Sequence, residues 1–249
     1  METTRIGEVP PFLGADLTDR YARNVRPIDV CGLAPEGVGF TVRFWTWTWD
    51  PAPNAVDADW VVKEFESRAS MLDGPQALAR VPEKMRACER LTGAPGKTPH
   101  QRPALHLPFA GFVNSALDLF AALQSSGVPI SPAAGLHGCG EVYPGDMWSA
   151  LRRGLPKKTT RAGRRLRACI LTTLGVRGLP ELPTHDQNDA AIGAMAAAAL
   201  AGAVPGVGAQ LIGDAVVVGP AGELREGPMV RLSVTSVDLR GRLAELVVA

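Results

Sequence analysis

The run from Ala190 to Ala209 carries no charge and is built mostly of alanine and glycine. A helix with small apolar residues on every side has no solvated stripe, so it must lie inside a core. The run is long enough to cross a bilayer. Alanine and glycine transfer weakly into lipid, however, and Pro205-Gly206 interrupts the stretch, so no membrane span is expected. Just ahead of it stands Thr184-His185-Asp186-Gln187-Asn188-Asp189-Ala190-Ala191. Thr184 and Gln187 have the spacing of a capping box, which predicts the helix start. Asp186 and Asp189 are three residues apart and share one helical face. Asp186 in the first turn is explained by the helix dipole alone. Asp189 lies deeper, beside small apolar residues, where a carboxylate needs a partner or a cation.

Two more acids end apolar runs. Phe12 to Thr18 reads as a strand with Asp16 near its exit, and Ala69 to Leu72 as a strand running into Asp73-Gly74-Pro75. Asp73 before Gly-Pro is also an ordinary turn signal. Val25 to Leu33 and Val38 to Trp49 read as strands turned at Pro35-Glu36-Gly37. Asp57 to Ser67, Glu83 to Leu91, Phe112 to Leu123, Thr160 to Leu174 and Ala190 to Val204 read as helices. Gly138 to Val142, Leu211 to Val218 and Met229 to Val234 read as later strands. A meander of strands followed by strands alternating with helices predicts an α/β fold, a mixed sheet flanked by helices. No internal repeat or linker divides the chain, so residues 1–249 are read as one domain with insertions.

Composition narrows the class. With 249 residues the chain can bury a sizeable core. Net charge is +1, so any case for nucleic acid rests on local patches. One such patch exists. Arg152, Arg153, Lys157, Lys158, Arg161, Arg164, Arg165 and Arg167 occur with no acid among them. They form either a solvated helix face or a phosphate-contacting surface. Cys31, Cys88, Cys139 and Cys169 have no metal-site spacing and read as reduced core cysteines of a cytoplasmic protein. The polar, acid-containing Met1 to Pro11 does not read as a signal peptide. His100, His106 and His137 lack metal-ligand spacing. The alternating Trp45, Trp47 and Trp49 share a strand face and read as core or interface rather than a base-stacking platform.

The ordered motifs resemble the proteins catalogued as domain of unknown function 429, predicted nucleases with a ribonuclease H-like fold. They are Asp16 in the first strand, Met71-Leu72-Asp73-Gly74-Pro75, Glu141-Val142-Tyr143-Pro144, Lys157-Lys158 with Gly163 and Arg167, and Asp186 through Ala190. The resemblance covers about residues 12–220. Two positions depart from the family pattern: Asp16-Leu17-Thr18 stands where glycines are frequent, and Ala77 where a glycine is common.

The chemistry that follows is phosphodiester hydrolysis. Two Mg²⁺ or Mn²⁺ ions about 3.5–4 Å apart can activate water and stabilise the departing oxyanion. Such hard cations want oxygen ligands and keep several waters, so three or four carboxylates suffice. Asp16, Asp73, Asp186 and Asp189 are therefore the expected metal ligands and, with Glu141 as an outer acid, the expected catalytic set. Lys157, Lys158 and Arg167 are the expected phosphate contacts, with nucleic acid as the partner. His185 adjoins the acids and reads as a packed or capping histidine, with proton shuttling the functional alternative. Two other functions compete: a non-catalytic binding protein on the same fold, and an actin-like ATP-dependent phosphotransferase. The second usually needs a glycine just after the first-strand acid, which Asp16-Leu17-Thr18 lacks.

Overall fold

The computed structural model describes residues 10–49, 69–95, 97–130 and 138–247. The helix expected over Asp57 to Ser67 and the residue His137 lie outside them. Strands β1 (Phe12–Asp16), β2 (Ile28–Glu36) and β3 (Gly39–Trp47) form the antiparallel meander, turned at Gly37 with φ 59°. That left-handed backbone favours glycine. Strand β4 (Ala69–Asp73) lies parallel to β1 on its other side, and β5 (Gly138–Val142) parallel to β4. Further on come β6 (Val176–Arg177), β7 (Val207–Ile212), β8 (Val217–Val218), β9 (Leu224–Arg225) and β10 (Met229–Val234). The order across the eight-stranded sheet is β6-β3-β2-β1-β4-β5-β10-β7, while β8 and β9 pair separately. The protein is thus α/β, with a mixed sheet whose centre is β1 and β4.

The helices are α1 (Ala87–Thr92), α2 (Ala110–Ser125), α3 (Pro144–Leu151), α4 (Arg161–Thr173), α5 (His185–Leu200) and α6 (Val237–Glu245). They divide between the faces of the sheet. On one side Ala116, Leu119, Phe120 and Leu123 of α2 pack on Leu13, Ala15, Ile28 and Val30. Trp47 and Trp49 are buried in this same layer, and Trp45 packs against it, so the tryptophan strand serves the core. On the other side α5 crosses β1, β2 and β4, and is itself covered by α3 and α4.

The alanine-rich helix begins at His185 because the predicted capping box forms. Thr184 Oγ1 accepts from Gln187 N at 3.0 Å, and Gln187 Oε1 accepts from Thr184 N at 3.0 Å. It ends at Leu200, sooner than the apolar run suggested. Among the described residues no helix is long and apolar enough to cross a membrane. Small side chains let α5 touch the sheet backbone. A Cβ placed on Gly14 would lie 2.0 Å from Ala190 O and 2.2 Å from Ala194 N, and one on Gly193 would lie 3.3 Å from Gly14 Cα.

Other differences from the sequence expectation have local causes. Helix α3 follows Tyr143-Pro144, and proline at the first helical position should have marked it. Helix α6 follows the Ser236 cap, which accepts from Leu239 N at 3.3 Å. The expected strand over Leu211 to Val218 divides at Gly213, which takes φ 108° and where a Cβ would lie 2.7 Å from Cys88 Cβ. Helix α1 starts at Ala87, later than its periodicity suggested, since Arg86 just before it is committed to buried acids.

The close approach at Gly14 predicts a large effect from a small change. Gly14→Val should destabilise the protein by at least about 1–3 kcal/mol, the range for overpacking, because the opposing atoms are backbone. Gly241→Ala, with open space around an exposed position of α6, should instead stabilise by roughly 0.5–1 kcal/mol. Urea unfolding of both variants checks the pair, and equal midpoints would refute the packing argument.

Candidate functional site

Strand register sets the site. In the β1–β4 ladder Asp16 stands beside Asp73, and in the β1–β2 ladder Asp16 stands beside Asp29. Paired residues on neighbouring strands point to the same face of a sheet. Three carboxylates therefore leave the sheet side by side, on the face that α5 covers. The helix brings Asp186 and Asp189 down onto them. The carboxyl group of Asp16 lies within hydrogen-bonding reach of both Asp186 and Asp73. Two carboxyl groups can hydrogen-bond only if a proton lies between them. The acids thus converge although they are far apart in the chain.

Burial and mutual repulsion govern their protonation. Burial raises the Asp16 pKa well above 3.8, and Asp73, Asp186 and Asp189 raise it further. Asp73 is pushed from 3.8 to about 7, by burial and then by Asp189, with Lys158 opposing. Asp29 is raised by burial and by Asp186. Asp189 is 2% exposed and is held by two donors: Trp148 Nε1 at 2.7 Å and Lys158 Nζ at 2.6 Å. Burial lowers the Lys158 pKa, but Asp189, Asp16 and Asp73 together raise it by more, so its net shift is upward. Arg26 pairs with Asp186 at 3.4 Å from an exposed position. His185 Nδ1 lies 2.6 Å from Asp186 Oδ1 but off the line a hydrogen bond requires.

These groups open into a cavity of about 600 Å³ at the ends of β1, β4 and β5, lined by Asp16, Asp73, Asp186, Lys158, Arg26 and Tyr143 among others. Glu141 also borders it, yet its register partner is Leu72, whose side chain packs with α2. Glu141 therefore leaves the opposite face of the sheet from Asp16 and Asp73. It grips Arg86 through both oxygens at 2.5 Å and accepts Gln76 N at 2.9 Å, while Arg86 also binds Glu89 at 2.9 and 3.0 Å. This fully buried group joins β5, α1 and the turn after β4. Its arrangement is that of a structural clamp, not of an outer catalytic acid.

The basic run separates in the same way. Lys158 reaches the cavity, and Lys157 is exposed beside it. Arg167 does not face the cavity. It is 7% exposed, donates to Pro156 O and Gly163 O at 3.0 Å, and its guanidinium lies 5.6 Å from the Trp148 ring centre. Its expected phosphate contact is replaced by support for the tryptophan that holds Asp189. Arg152 donates to the Leu246 carbonyl.

Asp29, Arg26, Arg86 and Trp148 were not singled out from the sequence. Asp29 had a readable signal, an acid on a strand that pairs with the Asp16 strand. Arg86 and Trp148 had none, because their partners are distant in the chain.

Among the described residues no group of three or more His, Cys, Asp or Glu stands in a ready metal-holding arrangement. The donor set still suits a hard divalent cation. It is all carboxylate oxygen, it is crowded enough to raise pKa values, and a cation would relieve that repulsion. The chain was compared with protein-family models, curated proteins and solved structures, and none of them matches.

The raised pKa values predict how stability changes with pH. A carboxyl group whose folded pKa lies above its unfolded value stabilises the fold while protonated. That contribution is complete below about pH 4 and is lost as pH rises through about 7 for Asp73. In EDTA the melting temperature should fall between these limits, and Asp73→Asn should reduce the slope and melt higher than wild type at pH 8. A wild-type protein with equal Tm at both limits would refute the shared-proton arrangement.

Proposed function

We propose that this protein is a divalent-metal-dependent nuclease with a ribonuclease H-like core. The observation that carries the reading is the convergence of Asp16, Asp73 and Asp186, from two central parallel strands and one late helix, in a single cavity, with Asp189 buried close behind them. The resemblance to the domain of unknown function 429 family rests on the motifs that supply these same four acids. The order of the sheet, with an antiparallel meander continued by parallel strands, is in keeping with it.

Asp16, Asp73 and Asp186 would hold Mg²⁺ or Mn²⁺, with Asp189 completing the set. The ions would supply an activated water and charge stabilisation for the departing oxygen of a phosphodiester. The chain's own residues do the rest. Trp148 and Lys158 hold the Asp189 carboxylate in place. Lys158 and Arg26 put positive charge at the cavity wall, where a nucleic-acid phosphate would approach. The second reading, a binding protein on the same fold, is favoured by one contact: Lys158 already neutralises Asp189.

Calorimetric titration separates the two. Wild type should bind Mn²⁺, and Asp16→Asn should weaken binding at least about 100-fold, since Asn keeps the shape and removes the charge that a hard cation needs. Wild type with Mn²⁺ should cleave at least one of single-stranded DNA, duplex DNA, RNA and branched DNA, and Asp16→Asn should cleave none. Absence of both Mn²⁺ binding and cleavage in the wild type would end the nuclease reading.

Electrostatic roles can be tested apart from cleavage. Lys158→Ala should lower the salt slope of polynucleotide binding by about 1, as expected for one lost phosphate contact. Arg167→Gln should leave that slope unchanged and lower Tm, because it removes two bonds to carbonyls and the contact with Trp148. A reversed pattern would return the phosphate role to Arg167.

A further inference from the structure

The cavity extends beyond the acids. Past Asp73 it continues into a lobe walled by Pro75, Pro95, Phe109, Phe112, Val113 and Met229. The two parts are contiguous. Gly74 directly follows Asp73, and the Phe112 ring tip lies 3.5 Å from the position a Cβ on Gly74 would take. These six walls are uncharged; Asp19 and the mutually paired Arg86, Glu89 and Glu141 also line the cavity.

Two features of the lobe have no account in the fold. Phe109 sits just before α2 with φ 62° and ψ 0°, a left-handed backbone that strains a bulky residue, and its side chain is 64% exposed at the cavity. The Phe109 carbonyl accepts from Val113 N at the start of α2, but its ring stays largely exposed. Thr98 is 1% exposed on the lobe wall, and among the described residues its hydroxyl has no hydrogen-bond partner. A buried hydroxyl left unpaired is costly and points to a partner outside the chain.

We infer that this lobe receives one unstacked nucleobase of the polynucleotide whose phosphate lies at the acid cluster. The inference rests on the nuclease reading and names its substrate class: a strand with at least one unpaired or flipped base. Flat apolar walls and an aromatic ring suit the face of a base, and one hydroxyl suits its edge. The whole cavity, at about 600 Å³, lies within the range of nucleotide-sized sites. Seating the base fixes the adjoining sugar and phosphate against Asp73, so Phe109 and Thr98 act as positioning residues.

The test is binding in Ca²⁺, which supplies a hard cation for the acids, with strand integrity checked so that binding is read apart from cleavage. Two labelled strands of about 12 nucleotides are compared by fluorescence anisotropy, one with bases and one with an abasic backbone of equal length. Wild type should prefer the base-bearing strand by about tenfold, in line with one stacked base. Phe109→Gly should lose most of that preference while keeping or raising Tm, because glycine accepts the left-handed backbone. Thr98→Val should keep Tm and reduce discrimination among homopolymers of different bases. Equal binding of both strands by wild type, or an undiminished preference in Phe109→Gly, overturns the base lobe and leaves the nuclease reading in place. Binding of neither strand by wild type overturns the polynucleotide reading and this inference together.

Discussion

The contact between Gly14 of β1 and the Ala190–Ala194 turn of α5 controls the geometry of everything functional in this protein. Backbone meets backbone there, with no side chain between. The helix therefore lies closer to the sheet than leucine or valine would allow, and Asp186 comes within hydrogen-bond reach of Asp16. An interior of this kind is rigid, because close-packed backbone cannot yield without shifting a whole element. The alanine content of α5 is thus a positional device. It gives up the larger apolar area of long side chains and gains a short helix-to-sheet distance.

That closeness forces carboxyl groups together in a buried place, and the surroundings manage the charge in two distinct ways. On the α5 face the acids crowd and repel one another, and Asp189 takes one ammonium from Lys158 and one indole N–H from Trp148. Their repulsion is only partly offset, which leaves them responsive to pH. On the α2 face Glu141 and Glu89 are matched to Arg86 with all guanidinium nitrogens bonded. A fully satisfied buried network holds elements in place and resists change. The same residue types, one strand position apart, therefore form a repelling acid cluster on one face and a neutralised clamp on the other.

The cavity joins these regimes to a third. Its far end has apolar walls with a strained aromatic and a hydroxyl that has no partner among the described residues. Local features that lower stability persist where the surrounding fold over-determines them. Here that surrounding is α2, whose buried face is anchored by Leu119, Phe120 and Leu123.

Much of this was legible in the chain itself. Thr184 and Gln187 announced the start of α5, since capping is a local interaction between residues three apart. The meander, the acid at the end of β1 and the acid at the end of β4 followed from alternation and turn residues. The small-residue run required a buried helix. Tertiary structure alone decided which charges meet. Glu141 and Asp73 both sit at strand ends in the sequence, but the β4–β5 register places Asp73 beside Val142, so Glu141 faces the other way and finds Arg86. Lys158 and Arg167 belong to one basic run, yet the placement of Trp148 sends one to the cavity and buries the other. The physical reason is the range of the forces. Caps, turns and periodicity act within a few residues, whereas register and helix docking pair groups separated by scores of positions through a three-dimensional packing that local sequence does not encode.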